Sequence, residues 1–127
     1  MTANRFQNIS TRGPVQTRDA VLIGGVIIGG GANKSVLFRA LGPSLNGVST
    51  PLANPTLDIY QGATLIASND NWQDTQASAI SATGLAPTNT KESAVLLDLA
   101  PGAYTMVVRG VNGGTGIGLV EGYDLDQ

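Results

Sequence analysis

The sequence predicts an all-β chain: two antiparallel sheets packed face to face as a sandwich, Ig-like or jelly-roll-like, with one short helical segment near residues 72–84. Three observations carry this expectation. Side chains alternate with the period of two that a half-buried strand requires: Tyr104, Met106 and Val108 oppose Thr105 and Arg109, while Val95, Leu97 and Leu99 oppose Asp98. The chain holds 17 Gly and 6 Pro spread along its length, the punctuation of many short strands. Apolar residues make up 42% and charged residues only 13%, which leaves a packed core beneath a surface of Ser, Thr, Asn, Gln and Gly. A chain of 127 residues fits one domain, residues 1–127.

The predicted elements follow in order. Phe6–Thr11 is a first strand within an amphipathic segment, Thr2–Arg12. Ala20–Ile28 is the most apolar run, and Gly24-Gly25 inside it marks a bulge or a close approach of the two sheets. Gly29–Gly31 begin a turn, read as a hairpin loop, into Ser35–Leu41. Thr56–Tyr60 places Leu57 and Ile59 against Asp58, and Gln61-Gly62 turns it into Thr64–Ser68. Trp72, Gln76 and Ile80 then repeat at helical spacing, with Gly84 as the stop. Pro101-Gly102 turns Ala94–Leu99 into Ala103–Arg109. Asn112-Gly113 supplies the two positive φ values of a type I′ hairpin into Ile117–Tyr123. Connections this short cannot carry parallel crossovers, so the strands are expected to pair antiparallel.

Composition removes several function classes. The seven basic residues stand singly, the net charge is −2 and aromatics are 5%, so neither phosphate neutralisation nor base stacking has the residues it needs. No nucleic-acid partner is expected. With no Cys and no His, the chain lacks disulfides, thiolate nucleophiles, His-based triads and the usual zinc ligands. The run VLIGGVIIGGG (21–31) is shorter than the ~20 apolar residues of a membrane span. It also follows a polar segment holding three arginines and Asp19, unlike a signal-peptide core. No membrane insertion is expected. GGGANKS (29–35) has Asn33 before Lys34 where a phosphate loop needs Gly, and GGTGIG (113–118) fails the dinucleotide spacing.

Candidate chemistry gathers in the polar run Asn69-Asp70-Asn71-Trp72-Gln73-Asp74. Asn69, Asp70, Asn71 and Asp74 offer closely spaced hard oxygens of the kind calcium takes, and Trp72 beside them offers a face for a sugar ring. The competing reading is a turn that caps the helix, with Trp72 plugged into the core, and it is preferred. Calcium is the only cofactor considered; no other is implied. A small acid-dependent hydrolase would need two of Asp70, Asp74, Glu92 and Glu121 across a cleft, and nothing in their spacing sets such a pair. Arg39 interrupts an apolar run and is read as partly buried and paired with Glu121 or Asp58 rather than as an anion anchor. Asn8-Ile9-Ser10 and Asn33-Lys34-Ser35 match the glycosylation triplet, a pattern that arises often by chance.

Seven blocks, NISTRG (8–13), VLIGGVIIGG (21–30), VLFRALGPSL (36–45), SNDNW (68–72), ESAVL (92–96), PGAYTMVVRG (101–110) and GLVEGYDLD (118–126), together resemble a bacterial β-sandwich repeat module of large secreted and cell-surface proteins. The resemblance covers nearly the whole chain. It implies tandem copies, an extracellular or cell-surface location and no catalytic activity. In such arrays the YDLD block closes one copy and NISTR opens the next, whereas this sequence is a single copy. A module of this kind supplied singly is expected to rebuild the array without covalent links, head to tail, as a fibre. Residues 1–12 are the candidate donated or exchanged strand, anchored by Phe6, Asn8 and Ile9 and received near Tyr123 and Leu125. The simpler alternative is that this segment folds back on its own domain. The expected function is therefore a non-catalytic structural or adhesive module whose partners are copies of itself and, as a further candidate, surface glycans. The alternative is a carbohydrate- or calcium-binding module using residues 69–74.

Overall fold

A computed structural model describes residues 8–17 and 20–126. It contains eight strands: β1 (Asn8–Val15), β2 (Leu22–Ile28), β3 (Lys34–Leu41), β4 (Pro55–Gln61), β5 (Thr64–Asn69), β6 (Ser93–Leu99), β7 (Gly102–Gly110) and β8 (Gly116–Asp124). Between β5 and β6 lie a 3-10 turn (Trp72–Asp74) and one helix, α1 (Ala77–Ala82). Two four-stranded sheets form, ordered β1-β8-β3-β6 and β2-β7-β4-β5, and every ladder between these strands is antiparallel. The chain changes sheet at every connection except β4 to β5, which is the order of a jelly roll.

That order corrects three expected hairpins. Asn112 (φ 56°) and Gly113 (φ 74°) do take the positive φ values anticipated for them, yet β7 and β8 lie in opposite sheets. Pro101-Gly102 likewise joins β6 to β7 across the sandwich, and Gly29–Gly31 joins β2 to β3 across it. Turn chemistry reverses the chain but does not choose a partner. β7 has both edges occupied by β2 and β4, and β8 by β1 and β3, so neither can take its sequence neighbour. Gln61-Gly62, with Gly62 at φ 61°, closes the one hairpin between hydrogen-bonded neighbours. The first strand also runs later than expected, to Val15, and includes Pro14, which an edge strand tolerates on its open side.

The core sits between the sheets. Val36, Phe38 and Ala40 point inward from β3, Leu57 and Ile59 from β4, and Met106 and Val108 from β7, all essentially inaccessible to water. Gly24 explains itself here. A methyl group added to it would lie 2.9 Å from Met106 Cε and 3.1 Å from Val120 Cγ1, so the glycine marks close sheet packing. No register shift occurs in the β2–β7 ladder, so the bulge is not the reason.

A second apolar cluster covers the outer face of the β1-β8-β3-β6 sheet. Trp72 and Ile80 pack there on Leu37 and Ala94, with Tyr123 and Leu125 at the margin. The helical spacing read from Trp72, Gln76 and Ile80 is thus a capping layer: the turn supplies Trp72, and α1 supplies Ile80. Gly84 (φ 75°) stops it, its N–H donating to Ser81 O. Among the described residues no helix is long and apolar enough to cross a membrane.

Candidate functional site

The polar residues nominated from sequence separate into structural and exposed sets. Glu92 is fully buried, and its Oε2 accepts from Gly42 N (2.8 Å), Ser44 N (2.9 Å) and Ser44 Oγ (2.7 Å). One carboxylate oxygen therefore holds the turn that follows β3. Gly42 is required in that turn because a side chain there would collide with the Leu52 carbonyl. Glu121 pairs with Arg39 beneath the capping layer, through both Nε (2.9 Å) and Nη2 of the guanidinium. Arg39 also donates to Leu85 O (3.0 Å) and Tyr123 Oη (3.1 Å), and its guanidinium carbon lies 5.0 Å from the Tyr123 ring centroid. The Tyr123 hydroxyl in turn donates to Glu121 Oε2 (3.2 Å). Burial raises the Tyr123 phenol above its usual value near 10, with Arg39 opposing the rise and Glu121 adding to it. Of the two partners considered for Arg39, Glu121 is the one; Asp58 pairs with Arg109 (2.9 Å).

The loop 69–74 has a mixed character. Asn69 is buried and committed: its Nδ2 donates to Asn71 O (3.2 Å) and Thr75 Oγ1 (3.4 Å), and its Oδ1 accepts from Ala94 N (3.1 Å). Asn71 takes φ 78°, and its N–H donates to Ser93 Oγ (3.3 Å). Trp72 is 8% exposed, so it offers no ring face to a sugar. Asp70 and Asp74 are exposed and line an open groove with Thr56, Asp58, Ser68 and Thr75. Among the described residues no three acidic side chains are grouped closely enough to hold a metal ion.

The candidate assembly residues lie where the first and last strands meet. β1 pairs with β8 over eight positions, from Asn8 opposite Tyr123 to Val15 opposite Gly116. Ile9 packs against the main core, and Tyr123 and Leu125 against the capping cluster. Phe6 and the rest of 1–7 lie outside the described residues.

Four strand edges remain, and they are finished differently. β1 exposes Arg12 and Pro14, two residues that discourage further pairing. β6 is closed by side-chain amides: Asn69 bonds Ala94 N, and Gln76 accepts from Leu96 N (2.9 Å) while donating to Leu96 O (3.0 Å). β5 carries a bulge, its register against β4 shifting at Ile59/Tyr60 so that Ile66 has no partner. β2 has none of these features. The exposed large apolar side chains among the described residues are Ile23 (55%), Ile27 (74%), Leu65 (51%) and Ile66 (38%), all on the two edges of the β2-β7-β4-β5 sheet. Sequence reasoning missed these side chains because β2 is apolar at nearly every position, so alternation does not tell the outer face from the inner.

No family model matches the chain, and no curated protein matches it. Among solved structures it is similar to the pre-peptidase C-terminal domain of a collagenase from Bacillus anthracis, with a TM-score of 0.54 and 13% identity over 90% of this chain and 87% of that one. At this identity the likeness shows the fold, a β-sandwich.

Proposed function

We propose that this chain is a non-catalytic, extracellular structural module that joins to further copies of itself head to tail by strand addition, the segment up to Arg12 being the donated strand. The observation that carries the reading is the β1–β8 ladder, formed within one copy, which sets the opening block NISTRG against the closing block GLVEGYDLD. Those are the two blocks that adjoin in the tandem modules the sequence resembles. An edge strand held this way can make the same ladder with the β8 of a neighbouring copy, and a head-to-tail exchange that does not close gives a filament. A non-catalytic role is supported by Glu92 and Glu121, the two buried carboxylates among the hydrolase candidates, both being tied into structural hydrogen bonds. The extracellular location rests on the resemblance and on the low-charge, polar-neutral surface.

Negative-stain microscopy and light scattering test it. Polymers are expected from the full chain, and deletion of residues 1–12 is expected to leave folded β-rich particles that do not polymerise. A full chain that stays monomeric at high concentration, or a deletion that polymerises undiminished, would overturn the proposal. A second reading, calcium or a surface glycan bound through residues 69–74, rests on the exposed carboxylates of Asp70 and Asp74 beside an open groove, Asp58 there being paired with Arg109. It requires that EDTA lower the melting temperature of the wild type but not of Asp70→Ala, or that a glycan array give a hit.

A further inference from the structure

We infer that β2 is a second, separate interface: the edge on which another copy of this chain pairs, β2 against β2, about a two-fold axis through Gly25. The inference does not rest on strand exchange at β1. It begins from the four edges of the sandwich. Three are blunted, by Arg12 and Pro14, by the Asn69 and Gln76 amides, and by the bulge at Ile66. The fourth is seven residues long, without charge, proline or bulge, and no charged residue occurs between Ala20 and Asn33. Among the described residues, no hydrogen bond outside the β7 ladder reaches it. Unpaired main-chain groups on such an edge are a template for another strand.

The residue pattern selects a second copy as the occupant. An antiparallel pair must keep both cores on one side of the joined sheet, so facing residues must share a face. Centred on Gly25, the midpoint of Leu22–Ile28, that condition sets Ile23 opposite Ile27 of the other copy, twice, on the outer face. Gly24 meets Val26, and Leu22 meets Ile28, on the core face. Every pair is apolar or glycine, and Gly25 meets itself on the axis with no side chain in the way. Ile23 and Ile27, half to three-quarters exposed in one copy, are covered in the pair. Alongside them the exposed Ala103 of β7, opposite Ile27, adds to the apolar surface. Cross-strand pairs of large aliphatic side chains are the unit by which such a sheet is stabilised.

Cysteine cross-linking of the full chain reads the register directly, because the chain has no cysteine of its own. Gly25 faces open space, its nearest atom to an added Cβ being Tyr104 O at 3.8 Å, so Gly25→Cys is tolerated. On the axis, the two introduced Cβ atoms approach within roughly 5 Å, near disulfide reach, and a covalent dimer forms under mild oxidation. Ile27→Cys serves as the control, since its counterpart in the other copy lies four residues along the strand. A mixture of Ile23→Cys and Ile27→Cys chains should cross-link to each other. In sedimentation, Ile23→Lys/Ile27→Lys is expected to weaken pairing about tenfold or more by setting like charges opposite one another, while Ile23→Glu/Ile27→Lys restores it. Equal cross-linking of Gly25→Cys and Ile27→Cys, or no recovery with the opposite-charge variant, would overturn the inference, including in favour of β2 pairing with β5 or with an unrelated strand. Loss of filaments on deleting residues 1–12 with cross-linking at Gly25 intact would support the pairing independently of the proposed fibre.

Discussion

Gly24 and Gly25 are adjacent on one strand, and the same substitution at each should move stability in opposite directions. Both glycines lie in extended backbone that alanine adopts without strain, so both variants gain the same unfolded-state term, about 0.4–1 kcal/mol in favour of folding. Their surroundings differ. At Gly25 an added Cβ meets nothing closer than 3.8 Å, whereas at Gly24 it lies 2.9 Å from Met106 Cε and 3.1 Å from Val120 Cγ1. The Met106 methyl is the end of a flexible side chain and can swing aside; Val120 is stiff and fully buried. Overpacking of this kind costs about 1–3 kcal/mol. Gly25→Ala is therefore expected to stabilise by about 0.4–1 kcal/mol, and Gly24→Ala to destabilise by up to about 2.6 kcal/mol net. Because the unfolded-state term cancels between the two, their separation measures the crowding at Gly24, by Met106 of its own sheet and Val120 of the facing one. Urea denaturation at a dilution where the chain is monomeric reads it, a 2 kcal/mol separation appearing as a gap of roughly 1 M between midpoints at an m value of about 2 kcal/mol/M. Coincident midpoints for the two alanine variants would refute the argument that Gly24 is there to let the sheets approach.

Three further outcomes follow from the contacts. Glu92→Ala should cost about 2–4 kcal/mol, mostly from leaving the buried Gly42 N–H without an acceptor, while Ser44→Ala, which removes a single donor, should cost about 1 kcal/mol; thermal unfolding of the pair checks the order. Ile80→Ala empties the centre of the capping layer and should cost about 2–5 kcal/mol, with the emission of the sole tryptophan, Trp72, shifting red while the far-ultraviolet β signal persists; unchanged emission would count against a packed cap. For Tyr123 the folded phenol is raised, so the folded state holds its proton to higher pH than the unfolded chain does. Its contribution is whole below the unfolded value near 10 and is lost as pH rises from there through the folded value, so Tyr123→Phe should show a shallower fall in melting temperature above about pH 10.

Most of the strands were legible in the sequence through alternation with period two, and β2 through its apolar run alone. The partnership of Arg39 with a carboxylate was legible too: a guanidinium within an apolar strand has few other ways to be buried. Glu92 was less so. Its neighbours in the turn, Gly42 and Ser44, are some fifty positions away in the chain, and nothing local marks it as their acceptor. The helical spacing of Trp72, Gln76 and Ile80 marked a short helical segment, but not that it would lie as a layer over the outer face of a sheet.

What the sequence alone determined is the set of strands and the places where the chain reverses, since these depend on residues close together in the chain. Only the tertiary structure decided which strands share a sheet, why Asn112-Gly113 links two sheets instead of closing a hairpin, and which face of β2 meets water. Those outcomes depend on competition for a limited number of strand edges. A central strand has two, and once β4 and β2 occupy those of β7, its sequence neighbour β8 must pair elsewhere. Among the described residues the same competition left β2 paired on one side only, with β7.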